Sequence, residues 1–235
     1  MKRDYFISVA MATYNGEKYI KEQIKSILVN LEKNDELIIS DDGSTDDTLK
    51  IIKSFKDKRI KIVDGPHDGI KQNFANAISK CKGKYIFLSD QDDIWMNNKV
   101  KNVLNVFNML KCTLVNHNAE IVDENMIVIS PYSTFEWRKS GNGFLKNIIK
   151  NSYIGCCMAF DSSLKDKILP IPNDIEMHDQ WIGLINENYG KSYFLDEKLI
   201  KYRRHGANAS KLKHGSLSKM FKNRIVLIKR LKGIK

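Results

Sequence analysis

Apolar residues follow two alternating rhythms along the first ninety positions. Short, nearly unbroken apolar runs at 6–12, 36–40, 59–63 and 84–89 read as buried strands. Between them apolar positions fall at helical spacing over 17–31, where Ile20, Ile24, Ile27, Leu28 and Leu31 form one stripe, and again over 45–55 and 70–80. Ser44 or Thr45 would cap the second of these helices. This alternation predicts an α/β fold, with a mostly parallel central sheet and helices on both faces. Beyond residue 116 the pattern loosens: strands are expected near 113–122, 156–160 and 192–195, and helices near 144–150 and 179–187. Residues 123–143, with Ser130, Pro131, Tyr132, Phe135 and Trp137, read as a long irregular excursion, and loops of that length tend to be functional.

In such sheets ligands gather beyond the carboxyl ends of the strands. Each polar cluster of the first half falls there: Thr13-Tyr14-Asn15-Gly16-Glu17 after the first strand, Asp41-Asp42-Gly43-Ser44 after the second, Asp90-Gln91-Asp92-Asp93 after the fourth. Asp90, Asp92 and Asp93 repel one another unless a divalent cation neutralises them, and closely set carboxylate oxygens suit Mn²⁺ or Mg²⁺. A solvated acidic turn is the plainer reading, although such a turn needs neither a buried strand before it nor Trp95 behind it. An EF-hand loop starting at Asp90 fails, because Trp95 would occupy its glycine position and Lys101 its closing glutamate. Asp41 and Asp42 could accept hydrogen bonds from a base or a ribose, or form an ordinary turn. Thr13 to Gly16 offer a hydroxyl, a stacking ring, an amide and a permissive backbone. No GxGxxG follows the first strand and no GxxxxGK[ST] occurs, so dinucleotide redox chemistry and P-loop NTP hydrolysis are poorly supported.

The 235 residues are 42% apolar, enough for one generous domain with a core. Cys81, Cys112, Cys156 and Cys157 have no CxxC spacing, which argues against a disulfide frame or a zinc site. No apolar run approaches the roughly 18 to 20 residues of a membrane span, and the N-terminal FISVAMA is too short for a signal peptide, so a cytoplasmic location is expected. Asn208-Ala209-Ser210 fits a glycosylation pattern that would be inert there. The net charge of +11 is concentrated at one end: of 39 Lys and Arg, 12 lie from Lys201 onward with no Asp or Glu, leaving 27 against 28 acidic residues before them. A neutral body with a basic tail points to a local contact with anionic lipid and not to nucleic acid. Over 219–232, Met220, Phe221, Ile225, Leu227, Ile228 and Leu231 share one helical arc, with Arg224 intruding and Val226 opposite. Such a helix suits either a membrane face or docking onto the domain or a partner subunit.

The order ISVAMATYNGEKYI, ELIISDDGSTDDT, KYIFLSDQDDIW resembles the family-2 glycosyltransferases of GT-A fold, a Rossmann-like nucleotide-diphospho-sugar transferase fold. Within them it is most similar to rhamnosyltransferase-like members that build bacterial capsule and O-antigen polysaccharides. The likeness covers roughly residues 5–210. It implies a catalytic domain over 1–210, with a nucleotide-sugar half at 1–116 and an acceptor half at 117–210, followed by a tail at 211–235. The implied donor is a UDP- or dTDP-sugar, with Thr13, Tyr14, Asn15 and Glu17 lining its pocket, Asp41 facing the uracil or thymine edge, Asp42 supporting that contact and Lys71 completing the donor set. Asp90-Gln91-Asp92 is similar to the family's DXD motif, so Asp90 and Asp92 would approach ribose and the cation bridging both phosphates, with Asp93 a further ligand.

Met177-His178-Asp179-Gln180-Trp181 is similar to the family's ED segment: Asp179 matches the catalytic base, while His178 stands where the family carries Glu. The plain reading of Asp179 is a helix cap. Tyr202-Arg203-Arg204-His205-Gly206 with Asn208 resembles YRxHxxN, which implies His205 as a metal or diphosphate contact and Arg203 as a partner of phosphate. Residues 155–160, GCCMAF, are similar to the strand before the acceptor region, and Cys157 and Met158 read as core there. The resemblance thus implies a metal-dependent, inverting transfer of one sugar to a glycan or lipid-linked oligosaccharide, and the basic tail suggests peripheral contact at the inner face of the membrane. The alternative is an inactive nucleotide-sugar or glycan-binding module of the same fold. A nucleotidyltransferase is disfavoured, since TYNGEKYI is not a glycine-rich, basic triphosphate loop.

Overall fold

A computed structural model of the chain describes residues 3–206 and 217–234. Asn208, the triplet 208–210 and the expected boundary at 210/211 lie outside the described residues. The N-terminal half runs β1 (Ile7–Thr13), α1 (Ile20–Asn30), β2 (Glu36–Asp41), α2 (Thr48–Ser54), β3 (Ile60–Asp64), α3 (Gly69–Lys80) and β4 (Tyr85–Ser89). Then come β5 (Ile94–Trp95), α4 (Lys99–Leu110), β6 (Leu114–Val122), α5 (Thr134–Arg138), α6 (Phe144–Ile149), β7 (Met158–Asp161), α7 (Lys165–Ile168), α8 (His178–Tyr189), β8 (Ser192–Arg203) and α9 (Leu217–Lys232).

The eight strands form one sheet in the order β3-β2-β1-β4-β7-β6-β8-β5. β3, β2, β1 and β4 are parallel, as are β6 and β8, whereas β7 runs antiparallel to both its neighbours and β5 antiparallel to β8. Side chains of β1 alternate between two cores: Ile7, Val9 and Met11 pack with α1 and α4, and Ala10 and Ala12 with α3 and α8. A strand buried on both faces must read as a continuous apolar run, which is why β1, β2 and β4 are so legible. Their register pairs Thr13 with Asp41 and Met11 with Ser89, so the loops after β1, β2 and β4 leave from one edge of the sheet.

Several elements differ from expectation. α4 is not among the expected helices, although Val100, Val103, Leu104 and Phe107 lie buried at helical spacing. β8 continues well past residue 195; the exposed Asp196-Glu197-Lys198 interrupts its alternation where the β6–β8 register shifts, the mark of a bulge. Residues 155–157 form a 3₁₀ turn before β7. The excursion at 123–143 is irregular but contains α5, opened by a capping box in which Ser133 and Glu136 satisfy each other's backbone N–H groups. Neither Ser44 nor Thr45 caps α2; Asp46 accepts from the N–H and hydroxyl of Thr48 instead.

Candidate active site

The first two loops are laced together by side chains expected to face a ligand. Asp41 accepts from the Thr13 hydroxyl (2.9 Å), the Ser44 hydroxyl (2.7 Å) and the Ser44 and Gly43 N–H groups (2.8 and 3.2 Å). Asn15, in the left-handed region at φ 46°, donates its N–H to the Ser44 hydroxyl and accepts from Thr45 N–H; Glu17 accepts from Asp47 N–H. Asp42 accepts from the N–H groups of His67 (2.7 Å) and Gly69 (3.0 Å), fixing the turn before α3. The Lys71 ammonium is held by the carbonyls of Asn173 and Ile175.

These loops border a cavity of about 670 Å³. Of the expected residues, Thr13, Tyr14, Asp42, Asp90, Asp92 and Asp179 line it, and Asn15, Glu17, Asp41, Lys71, Asp93, Arg203 and His205 do not. The first three of those seven shape the loops from behind, and Lys71 bridges to the segment before α8. The wall also carries residues without a motif signal. The Gln91 amide forms a reciprocal pair with the Tyr14 backbone, at 2.9 Å to its N–H and 3.0 Å from its carbonyl. A Cβ at position 16 would displace that amide, so Gly16 leaves room for the Gln91 pairing. Asn73 is buried, donates to the Thr13 carbonyl at 3.1 Å, and leaves its own Oδ1 without a partner at the cavity wall. Only the register that joins the loops brings these two amides to the site.

The acidic turn divides in two. Asp92 pairs with His205, Oδ2 to Nε2, at 2.8 Å. Asp90 and Asp93 approach Cys156 instead, one ligand atom of each lying within 4.8 Å of the others. Asp93 is 1% exposed; its Oδ1 accepts from Arg203 N–H at 3.0 Å and its Oδ2 has no partner. Burial, reinforced by the charges of Asp92 and Asp90, pushes its carboxyl well above the usual carboxylate range. Asp90 is pushed up to about 7, by burial first and then by Asp92 and Asp179. Behind the turn, buried Lys99 donates to the Cys156 carbonyl at 2.8 Å and lies 3.8 Å over the Trp95 ring, and burial lowers its pKa to about 8. Two carboxyls raised by burial and by neighbouring carboxylates, a nearby imidazole and an unsatisfied buried oxygen fit a divalent cation.

Arg203 lies under this turn and not on the cavity wall. Its Nε donates to the Asp92 carbonyl (2.7 Å), Nη1 to the Glu124 carbonyl (2.7 Å) and Nη2 to Glu22 (2.8 Å), with the guanidinium 4.4 Å from the Tyr19 ring centroid. It is a positioning residue for Asp92 and Asp93. Arg203→Ala would strand two carbonyls, so we expect a loss of about 2–4 kcal/mol in urea unfolding. An unchanged midpoint would show that the turn holds itself.

On the cavity wall α8 begins at His178, and its N-cap, Met177, makes no side-chain cap bond. Asp179 therefore does not cap the helix. It sits in the first turn, where the helix favours negative charge, and accepts from Gln180 N–H (2.6 Å) and Asn151 Nδ2 (3.1 Å). Beside it, buried His178 stacks on Phe74 with ring centroids 4.2 Å apart, and neither ring nitrogen has a partner. Burial lowers its pKa, which keeps the imidazole neutral. The cavity thus brings together a carboxylate that can take a proton and an acidic turn that can hold a cation.

The glycosyl transferase family 2 model matches residues 8–169. The dTDP-rhamnosyl transferase RfbG of Shigella flexneri is 32% identical over 224 residues, covering 85% of this chain and 75% of that protein. The UDP-Glc:alpha-D-GlcNAc-diphosphoundecaprenol beta-1,3-glucosyltransferase WfgD of Escherichia coli is 28% identical, over 79% of this chain and 72% of its own length. Among solved structures, S. aureus TarS 1-349 in complex with UDP-GlcNAc superposes with a TM-score of 0.76 at 18% identity, over 98% of this chain and 67% of that one. A mannosyltransferase of Pyrobaculum calidifontis in complex with GDP-Man and Mn²⁺ gives 0.60 at 15% identity, over 84% and 56%. At those identities the superpositions establish a shared fold, the GT-A fold. The match of the family model over most of the chain, with a relative at 32% identity, establishes more: this chain belongs to glycosyl transferase family 2 and is a glycosyltransferase.

Proposed function

We propose that the chain moves one sugar from a UDP- or dTDP-sugar to a hydroxyl of a glycan or lipid-linked oligosaccharide in bacterial surface polysaccharide synthesis, with inversion and with the help of Mn²⁺ or Mg²⁺. The observation that carries this reading is that Asp179, Asp90 and Asp92 all line one cavity. Asp179 takes the proton of the acceptor hydroxyl as its oxygen attacks the anomeric carbon, and the bond from that carbon to the diphosphate breaks on the far side. Negative charge then grows on the departing nucleoside diphosphate beside Asp90 and Asp92. A cation held by Asp92, His205 and Asp90, with Asp93 beneath them, would supply Lewis-acid neutralisation there. Tyr14 offers its exposed ring to the base, and Thr13, Asp42 and the unpartnered Oδ1 of Asn73 offer polar contacts to the nucleoside.

Both acidic centres are intact, which favours an enzyme over an inactive module. Thermal unfolding with UDP, UDP-sugars and dTDP-sugars, each with and without Mn²⁺, tests the reading alongside nucleoside diphosphate release. The right donor at a hundredfold excess over its Kd should add roughly 2.7 kcal/mol of stability, and more with Mn²⁺ than without. A shift without release in the presence of acceptor would favour the binding module, and no shift with any nucleotide would sink the donor assignment.

A further inference from the structure

α9 is docked and exposed at once, and the division between its two faces carries an inference about membrane contact. Leu227 and Leu231 are buried in the core beside α8. Arg224 reaches the carbonyls of Met220 and Ile149 from one edge of this contact, while Arg230 pairs with Asp174 at 2.9 Å and Asn223 with Glu176 at 2.9 Å on the other. At about 100° per residue, Phe221, Ile225 and Ile228 fall together on an arc beside Arg224, turned away from the core. They are 67%, 40% and 36% exposed. The same arc and its outer flank carry Lys222, Lys229 and Lys232, and the helix has no acidic residue.

The patch does not stop at α9. α6 packs against it, and there Leu145 and Ile149 are 73% and 65% exposed, with Lys146 and Lys150 beside them. Five large exposed apolar side chains on two touching helices, rimmed by lysines, exceed the scattered exposure normal for a soluble surface. Lysine-rich, acid-free apolar surface matches one occupant in charge and shape: the headgroup layer of an anionic bilayer, into which short apolar side chains insert while lysines meet phosphate. A protein partner would need acidic complementarity of its own and an apolar face to match.

We propose that α6 and α9 together form a peripheral docking face for an anionic membrane. The chain leaving α6 leads directly to Asn151, which holds Asp179, and to Ile154 and Gly155 on the cavity wall. The docking face is therefore continuous in sequence with the segment that holds Asp179, which would bring a membrane-borne acceptor toward that segment. That last step rests on the reading of the acceptor given above; the docking face does not.

The test is co-sedimentation of the full chain with vesicles of phosphatidylcholine alone and of phosphatidylcholine with phosphatidylglycerol, without donor or acceptor. A negative result thus stays separate from failure of the transfer reading. Wild type should bind the anionic vesicles and release as salt rises. The triple variant Phe221→Ser, Ile225→Ser, Ile228→Ser should lose about tenfold or more in partitioning, as should Lys222→Gln, Lys229→Gln, Lys232→Gln. The substituted side chains are exposed, so circular dichroism should report unchanged folding, and Leu145→Ser, Ile149→Ser provides an independent pair should α9 loosen. Absence of wild-type binding to anionic vesicles, or variants that bind as wild type does, would overturn the proposal. So would a wild-type dimer in light scattering that the triple variant abolishes with vesicle binding unchanged, since a second copy would then be the occupant.

Discussion

Asp179→Asn should fold and bind donor, yet transfer at a rate lower by roughly 10²–10⁴-fold, the range over which a positioned base acts. Asparagine keeps the shape of the side chain and an oxygen for the N–H of Gln180, so α8 and its contact with Asn151 need not move. What disappears is the only feature with catalytic value, an atom able to accept the acceptor's proton. A second readout separates this from a packing defect. Asp179 is one of the charges that raise Asp90, so neutralising it should let Asp90 ionise at lower pH. Because the folded-state pKa of Asp90 lies above its ordinary value, cation-dependent donor binding, which needs the ionised form, should extend to lower pH in the variant. Nucleoside diphosphate release over time, with thermal shifts across pH, measures both. Transfer at the wild-type rate would remove Asp179 from the mechanism.

The sequence is most readable where one physical cause acts alone. β1, β2 and β4 are buried on both faces and so are apolar throughout, and the residues after each emerge on one edge because the strands are parallel. Even there, spacing locates loops and not side-chain directions. Asp41 and Asp42 are adjacent in sequence, yet the first ties loops together and the second reaches the cavity wall. Gln91, at the variable position of its motif, and Asn73, outside any motif, give no signal in the sequence, since their roles exist only once β1 stands between β2 and β4. Arg203 is the sharper case. A guanidinium in a basic segment could meet phosphate or buried carbonyls, and only the fold, which carries β8 past the acidic turn, decides for the carbonyls of Asp92 and Glu124. The full length of β8 is not visible in the apolar pattern because a bulge breaks its period. His178 remains distinctive: stacked and unpartnered, it places an imidazole beside Asp179 at the position where the resemblance leads one to expect a carboxylate.

The division within DQDD yields the other large effect. Asp92→Asn should lower transfer by roughly 10²–10³-fold, the size expected when one charge-stabilising group is removed from a reacting site. It should also raise the Mn²⁺ concentration needed for half-maximal rate. The turn should survive, because Arg203 grips the Asp92 backbone carbonyl and not its carboxylate. Asp93→Asn should be at least about tenfold less damaging to the rate. Burial and two neighbouring charges already drive that carboxyl toward its neutral form, which an amide resembles, and Oδ1 can still accept from Arg203 N–H. The comparison also separates electrostatics from support, since Asp92 lines the cavity and pairs with His205 while Asp93 is buried beside Cys156. Mn²⁺ titrations of the two variants, read as nucleoside diphosphate release, decide the matter. Equal losses would mean that the cation reaches through to Asp93. A greater loss in Asp93→Asn, with normal Mn²⁺ dependence in Asp92→Asn, would transfer the cation to the inner set of Asp90, Asp93 and Cys156 and leave Asp92 a role in orienting His205 alone.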